Sequence, residues 1–272
     1  MAQVTLPDFA AIKNTQRATW ASGDYGVVGR SLQIVGETLC EAADIRGAEK
    51  VLDVAAGDGN AALAAARRWA DVTASDYVPA LLERTMRRAE ANGLSMQVRE
   101  ADAENLPFEN DSFDAVMSVF GAMFTPNQER TASEMLRVCK PGGRVALANW
   151  TPSGFIGELF RVVGRHVPPP AGVKPASLWG TEDRLRELFP SDVADVRVAE
   201  RVFNFRYRSP RHWIDVFQTY YGPVLRAFAA LPQERRGDLD DDLFALAQEH
   251  NVTTDGTFVA PGAYLEVVIT KR

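Results

Sequence analysis

Residues 51–60 of the 272-residue chain read VLDVAAGDGN, and the expected fold is built around this segment. A short apolar strand runs into a loop with two glycines, and the helix-forming segment AALAAARRWA follows. Small residues and glycines let the backbone approach a ligand closely. The free N–H groups at the start of such a helix suit a carboxylate or phosphate. The pattern predicts a ligand-binding strand–loop–helix unit, although a tight turn without any ligand has the same appearance.

The alternation of strands and helices continues on both sides of this unit. Further strands are predicted at 71–75, 96–99, 113–119 and 144–150, with helices at 79–92 and 127–138, the latter closed by the PGG of 141–143. Strand patterns also occur at 193–207 and 264–270, which we expect to form an antiparallel pair. The fold class is therefore α/β, with a doubly wound, mostly parallel, seven-stranded sheet and an antiparallel last strand.

The remaining segments predict helical insertions around this sheet. We expect a helical cap over 1–48, whose final helix stops at Gly47, and a ligand-binding core over 49–150. Residues 151–257 would form cap elements that bind a second substrate, with one core strand near 193–207. Residues 258–272 would supply the final core strand.

Composition narrows the classes of function. The net charge of −6 argues against binding of duplex nucleic acid, which usually requires a basic face. Cys40 and Cys139 are far apart and lack metal-ligand spacing, so neither a disulfide framework nor a metal is expected, and a reducing cytoplasm is the default. No apolar run is long enough to cross a bilayer, and the first residues do not resemble a signal peptide.

Two aspartates suggest which ligand the loop takes. Asp76 ends the second strand, where a carboxylate can accept hydrogen bonds from both hydroxyls of a ribose. The run GDGNAA also fits the loose dinucleotide pattern, so an NAD-dependent oxidoreductase is one alternative. Asp53 precedes the first glycine by four residues and would repel a pyrophosphate, whereas it can hold the ammonium of a methionine moiety. This favours S-adenosylmethionine (SAM).

Downstream segments carry a family resemblance over about residues 45–151. The ordered set VLDVAAGDGN, SDYVP, ADAENLPFENDSFDAVMSVFGAMF and EMLRVCKPGGRVALANW resembles the class I SAM-dependent methyltransferases, which have a Rossmann-like fold. It is most similar to the ubiquinone/menaquinone-biosynthesis-like branch. A W-x4-Y segment, here Trp20 to Tyr25, is also similar to uncharacterised actinobacterial members. Ala55-Ala56 stand where cysteine or glycine is frequent, but both residues are small.

The resemblance implies a role for each matching position. The glycine loop would shape the methionine pocket, and Asp76 would bind the ribose with Tyr77 beside the adenine. Asp102 would accept from the adenine amine, and Trp20 and Tyr25 would close over the cofactor unless they simply pack an N-terminal helix. The implied cofactor-binding residues are Trp20, Tyr25, Asp53, Ala55, Gly57, Asp58, Gly59, Asp76, Tyr77, Asp102, Ala103, Ser118 and Phe120.

The acceptor of the methyl group is less well marked. A small-molecule acceptor is expected, because the chain is acidic and the Asn/Asp-Pro-Pro-Tyr-type signature of base and glutamine methylation is missing after residue 117. A dense aromatic group predicts an apolar or aromatic acceptor, and it comprises Phe203, Phe205, Tyr207, Trp213, Phe217, Tyr220 and Tyr221.

His166 and His212 are candidate general bases. The alternative is a protein that binds SAM or S-adenosylhomocysteine without methyl transfer, either as a regulatory module or as a cyclase. For the oligomeric state, the sequence allows both a monomer and a homodimer.

Overall fold

The computed structural model describes residues 7–190 and 193–272 and shows one mixed seven-stranded sheet. In chain order its strands are β1 (Lys50–Val54), β2 (Asp71–Asp76), β3 (Gln97–Glu100), β4 (Phe113–Val119), β5 (Cys139–Trp150), β6 (Val193–Tyr207) and β7 (Phe258–Lys271). Across the sheet they lie in the order β3-β2-β1-β4-β5-β7-β6. β7 is antiparallel to both β5 and β6, so the predicted fold class is confirmed.

The strand order creates the crevice in which a ligand can bind. The chain moves outward from β1 to β2 and β3, and then returns to place β4 on the other side of β1. The loops after β1 and β4 leave the sheet on opposite faces at this switch point, which is where open α/β sheets bind ligands. β1 and β4 are almost wholly buried, because neighbouring strands and helices cover them on all sides.

Eleven α-helices flank the sheet in the described part of the chain. They are α1 (Phe9–Trp20), α2 (Tyr25–Gly29), α3 (Gln33–Ala42), α4 (Asn60–Arg67), α5 (Pro79–Ala91), α6 (Gln128–Val138), α7 (Phe155–His166), α8 (Glu182–Leu188), α9 (Pro210–Tyr220), α10 (Gly222–Ala230) and α11 (Gln233–His250). α9 packs on both α10 and α11, and α7 packs on α11, which builds a helical layer beside β6 and β7. None of these eleven described helices is long and apolar enough to cross a bilayer.

Two local predictions were wrong. α3 ends at Ala42 and not at Gly47, because Asp44 adopts the left-handed conformation (φ 50°) soon after the last helical residue. The PGG sequence was expected to close α6, but α6 ends at Val138 and β5 already begins at Cys139. Cys139 pairs with Phe113 across a register shift, so these residues lie within the strand.

Candidate active site

A large cavity opens at the carboxyl ends of β1 and β4. It encloses about 1110 Å³, counted to its open mouth. Its floor comes from the loops that follow β1, β2 and β4, and its cover comes from α1, α2 and residues near α9. Its lining combines apolar and aromatic side chains with a few buried carboxylates, which is typical of a small-molecule site.

The glycine loop at one end of the cavity is held in shape by α5. Arg88 donates from Nη1 to the Asp58 carbonyl oxygen (2.5 Å) and from Nη2 to Asn60 Oδ1 (2.9 Å), and it also forms an ion pair with the Asp58 carboxylate. The Thr85 hydroxyl donates to the Gly57 carbonyl. Because these contacts come from a regular helix, the loop presents a preformed surface to a ligand.

Asp53 is the buried carboxylate closest to the start of this loop. Its Oδ2 accepts a hydrogen bond from the Ala62 amide (2.8 Å), whereas Oδ1 has no hydrogen-bond partner among the described residues, although Asp53 is only 1% exposed. Burial, reinforced by the neighbouring charges of Asp76 and Asp58, raises the pKa of Asp53 to about 7. An unpartnered buried carboxylate oxygen in a cavity wall calls for a cationic hydrogen-bond donor.

Asp76 ends β2 and also lines the cavity. Its Oδ2 accepts from the Gly57 amide (2.9 Å) and its Oδ1 accepts from the Val78 amide (2.8 Å). Each carboxylate oxygen keeps lone-pair capacity for a further donor. Burial raises the pKa of Asp76 to about 6 despite these backbone hydrogen bonds. The orientation of the carboxylate is thus fixed before any ligand arrives.

Two residues at the switch point have left-handed backbones. Ala55 follows β1 with φ 52°, and Phe120 follows β4 with φ 54°. A Cβ on the adjacent Gly121 would lie 2.2 Å from the Ala55 carbonyl oxygen, so only glycine fits there. Such strained positions persist only where the surroundings enforce them, and they are frequent at functional sites.

An aromatic wall closes the other end of the cavity. Phe120 stacks on Trp150 with 3.7 Å between ring centroids and nearly parallel planes, and Phe205 lies 5.5 Å beyond Trp150. Trp20 meets Tyr25 and Tyr221 edge to face on the covering side. The cavity therefore has a carboxylate-rich end and an aromatic end, which suits an extended ligand with a cationic polar part and an apolar neighbour.

Helix α1 covers the cavity and is held mainly by polar contacts. None of its residues is buried. Lys13 Nζ pairs with Asp102 (2.5 Å) and Glu104 (2.9 Å), and Gln16 donates to the Phe124 carbonyl oxygen. Asp102, predicted to accept from an adenine amine, has one carboxylate oxygen on Lys13 and the other on the Glu104 amide.

Most of the predicted cofactor-binding residues come together around this one cavity. Those that line it are Trp20, Tyr25, Asp53, Ala55, Gly57, Asp58, Asp76, Tyr77, Asp102, Ala103 and Phe120. Gly59 and Ser118 do not line it. A Cβ on Gly59 would lie 2.6 Å from Thr85 Cγ2, so this glycine serves helix packing. The Ser118 hydroxyl donates to the Val54 carbonyl and accepts from the Ala122 amide, which ties the two switch-point loops together.

The two candidate general bases lie outside this cavity. His166, at the end of α7, bonds through Nε2 to Asp242 (2.8 Å). Both ring nitrogens of His212 lie within hydrogen-bond distance of Arg208. The prediction that either ring lines the acceptor pocket is corrected here, because both rings are held by contacts with other helices or loops and neither borders the cavity.

The aromatic group predicted for the acceptor is divided by the fold. Phe205, Phe217 and Tyr221 line the cavity, whereas Trp213 is completely buried in the core and Tyr220 is exposed. Sequence reasoning missed Trp150, although its place at the end of a parallel strand could have indicated it. It also missed Lys13 and Gln16, because nothing in the first 48 residues indicates which side of α1 meets the site.

The sheet and the site together define an α/β protein of the Rossmann-like, ligand-binding class. Comparison with known proteins shows which family within this class the chain belongs to. The family described as methyltransferase domain matches residues 51–143. An uncharacterised protein from Mycobacterium tuberculosis is 41% identical over 241 residues, which are 87% of this chain and 88% of that protein. The demethylmenaquinone methyltransferase of Deinococcus radiodurans is 34% identical over 168 residues, or 59% of this chain and 70% of that enzyme.

A solved structure supports the same fold. The YcgJ protein from Bacillus subtilis superposes with a TM-score of 0.59 at 19% identity, over 90% of this chain and 99% of that one. The chain belongs to the methyltransferase family, and the resemblance seen in its motifs is confirmed.

Proposed function

We propose that the chain transfers the methyl group of SAM to a small, apolar or aromatic acceptor. The observation that carries the proposal is the unpartnered Oδ1 of buried Asp53 in the wall of a cavity that also holds Asp76. A carboxylate in this state matches the ammonium of the methionine moiety, and Asp76 matches the ribose hydroxyls. The residues present therefore fit SAM.

SAM supplies an activated methyl group on a positively charged sulfur. In the transfer, an electron pair of the acceptor's O, N, S or C atom would bond to the methyl carbon as the sulfur–carbon bond breaks; the electrons of that bond would remain on sulfur, and any proton of the acceptor would pass to water. The work of the protein is then mainly positioning, which can contribute roughly 7–11 kcal/mol to such a step. The stacked Phe120 and Trp150 form a rigid aromatic surface at the end of the cavity where an acceptor would lie.

The acceptor class follows from the lining of that end. Phe120, Trp150 and Phe205 are all nearly or completely buried, and Phe217 joins them on the cap side. Within the described part of the chain no histidine borders the cavity, so the acceptor has apolar and aromatic side chains beside it at this end. The Deinococcus relative is named for an acceptor, demethylmenaquinone, that agrees with an aromatic substrate.

Calorimetric titration with S-adenosylhomocysteine tests this function. We expect saturable one-to-one binding that Asp76→Ala weakens at least tenfold. The control is Asp114→Ala, which removes a carboxylate paired with Lys140 near the amino end of β4, whereas the cavity lies at the carboxyl end. Absence of binding to the folded wild-type protein would contradict the proposal. Incubation with methyl-labelled SAM and candidate acceptors then separates methyl transfer from binding alone.

A further inference from the structure

A second cavity adjoins the first and has no role in the function proposed above. It is an open cavity of about 490 Å³ between α1, α7, α10 and the connection that follows α7. We call it the side cavity. It shares the lining residues Gln16, Phe124, Thr125 and Tyr221 with the first cavity. The two spaces therefore lie next to each other at these residues.

Phe124 is the centre of this boundary. Its ring lies 4.9 Å from Trp20, which borders only the first cavity, and 5.5 Å from Phe160, which borders only the side cavity. The Phe124 carbonyl oxygen accepts the side-chain amide of Gln16, so its backbone is tied to α1. A molecule that extends past the Phe124 ring would occupy both spaces.

The lining of the side cavity is mostly apolar, and the one charged side chain in its described part is paired. Ile12, Val163 and Val173 are typical of its walls. Lys174 Nζ pairs with Glu129 (2.6 Å), and the hydroxyls of Thr15 and Thr125 donate to backbone carbonyls within their own segments. Among the described residues of this lining no charge is left without a partner. The cavity therefore favours an uncharged apolar occupant and offers nothing to an ionic one.

The outer wall of the side cavity is fixed by buried polar contacts. Gln128 Nε2 donates to the Pro175 carbonyl oxygen (3.1 Å), and Arg184 Nε donates to Gln128 Oε1 (3.0 Å). Gln128 and Arg184 are both buried. This wall is therefore anchored to α6 and α8.

From these contacts we infer that the side cavity binds an uncharged apolar tail of the methyl acceptor, whose reacting end lies beside Phe120. The acceptor is then an amphiphile with a compact head and a hydrocarbon chain. This inference rests on the proposed function for the identity of the head, but the tail site follows from the side cavity itself. Burial of each added methylene can raise affinity up to about fourfold.

Binding of para-alkylphenols with ethyl, hexyl and decyl tails tests the inference. Each is titrated by equilibrium dialysis into the full chain, with and without saturating S-adenosylhomocysteine. We expect affinity to rise steeply with tail length. Equal affinity for all three tails in the wild-type protein would overturn the inference.

The blocking variant is Gly164→Phe. Gly164 lies in α7 on the side-cavity wall, and among the described residues the only atom within 4 Å of an added Cβ is Pro169 Cδ at 3.9 Å. The new ring can thus enter the cavity without moving the helix. The matched control is Gly237→Phe in α11, where an added Cβ meets no described residue and neither cavity is near. Ala11→Phe fills the same space from α1 if the first variant does not fold.

The outcomes separate the two claims. Gly164→Phe should abolish the dependence on tail length and leave the affinity for S-adenosylhomocysteine unchanged, while Gly237→Phe should behave as wild type. An unaltered dependence in both blocking variants would refute the tail site. The tail site would also be refuted if the wild-type protein sediments as a dimer and Gly164→Phe sediments as a monomer. The side cavity would then be occupied by a second copy of the chain. Failure to bind S-adenosylhomocysteine, with the tail dependence intact, would refute only the proposed function.

Discussion

At the scale of single residues, Asp53 meets two opposing requirements. A charged carboxylate buried without a full set of partners destabilises the free protein, but the same charge is needed to bind a cationic ligand. Two features of the structure show this conflict. Oδ1 of Asp53 has no hydrogen-bond partner among the described residues, and burial raises the pKa of Asp53 to about 7. Binding sites often keep such local costs because the ligand offsets them.

Asp53→Asn should therefore separate stability from binding. The amide keeps the shape of the side chain without its charge, so we expect a higher melting temperature for the free protein above pH 7. Affinity for S-adenosylhomocysteine should fall roughly tenfold to hundredfold, as for the loss of a hydrogen bond to a charged group. Thermal unfolding and calorimetry measure the two effects. In Asp114→Asn, which removes an ion pair with Lys140, neither gain in stability nor loss of affinity is expected.

Gly59 and Gly93 form a matched pair for a packing prediction. Both have left-handed backbones, but a Cβ on Gly59 would meet Thr85 at 2.6 Å, whereas Gly93 has open space. Gly93→Ala should cost roughly 1–2 kcal/mol of stability from backbone strain alone. Gly59→Ala should cost about 1–3 kcal/mol more, because the added methyl group overpacks the contact with α5. Urea unfolding midpoints measure the difference, and equal losses would contradict the role assigned to Gly59.

At the scale of elements, the parts of the site differ in how readily the sequence predicts them. The strand–loop–helix unit at 51–60 and the end of the next strand are encoded locally, so the places of Asp53, Gly57 and Asp76 in the site follow from the sequence pattern. The cover is not encoded in this way. Helix α1 and the side cavity depend on contacts between segments more than 80 residues apart, such as Lys13 with Asp102 and Gln16 with Phe124. Side-chain partners such as those of His166 and His212 are likewise set by tertiary packing.

Lys13 should control how often α1 leaves the site. Its ammonium pairs with Asp102 and Glu104 and keeps only 24% of its side chain exposed. Lys13→Met should speed amide hydrogen exchange in residues 9–20 several-fold, in keeping with a loss of roughly 0.5–1 kcal/mol. Arg17→Met is the control, because its pair with Glu100 is more exposed and should matter less. Equal exchange in all three proteins would show that α1 is held by other contacts.

At the scale of the whole molecule, the buried acidic groups predict how stability depends on pH. Burial raises the pKa values of Asp53 and Asp76 to about 7 and about 6, above their value in the unfolded chain. The folded protein therefore binds more protons than the unfolded chain between about pH 4 and pH 7, and these two groups lower stability as the pH rises through that window. They contribute no further change above it.

The difference in unfolding free energy between wild type and Asp53→Asn isolates this effect. We expect wild type to lose stability relative to the variant as the pH rises from about 4 to about 7, and the difference to level off above. Saturating S-adenosylhomocysteine should remove much of the loss, since its ammonium neutralises the carboxylate. A difference that is constant with pH would mean that Asp53 has an ordinary pKa in the folded protein.

The most direct measurement of the central claim is a crystal structure with S-adenosylhomocysteine bound. We expect the amino group of the ligand within hydrogen-bond distance of Asp53 Oδ1 and both ribose hydroxyls on Asp76. The sulfur should be directed toward Phe120 and the aromatic end of the cavity. A ligand bound elsewhere, or one whose amino group does not contact Asp53, would contradict the central claim.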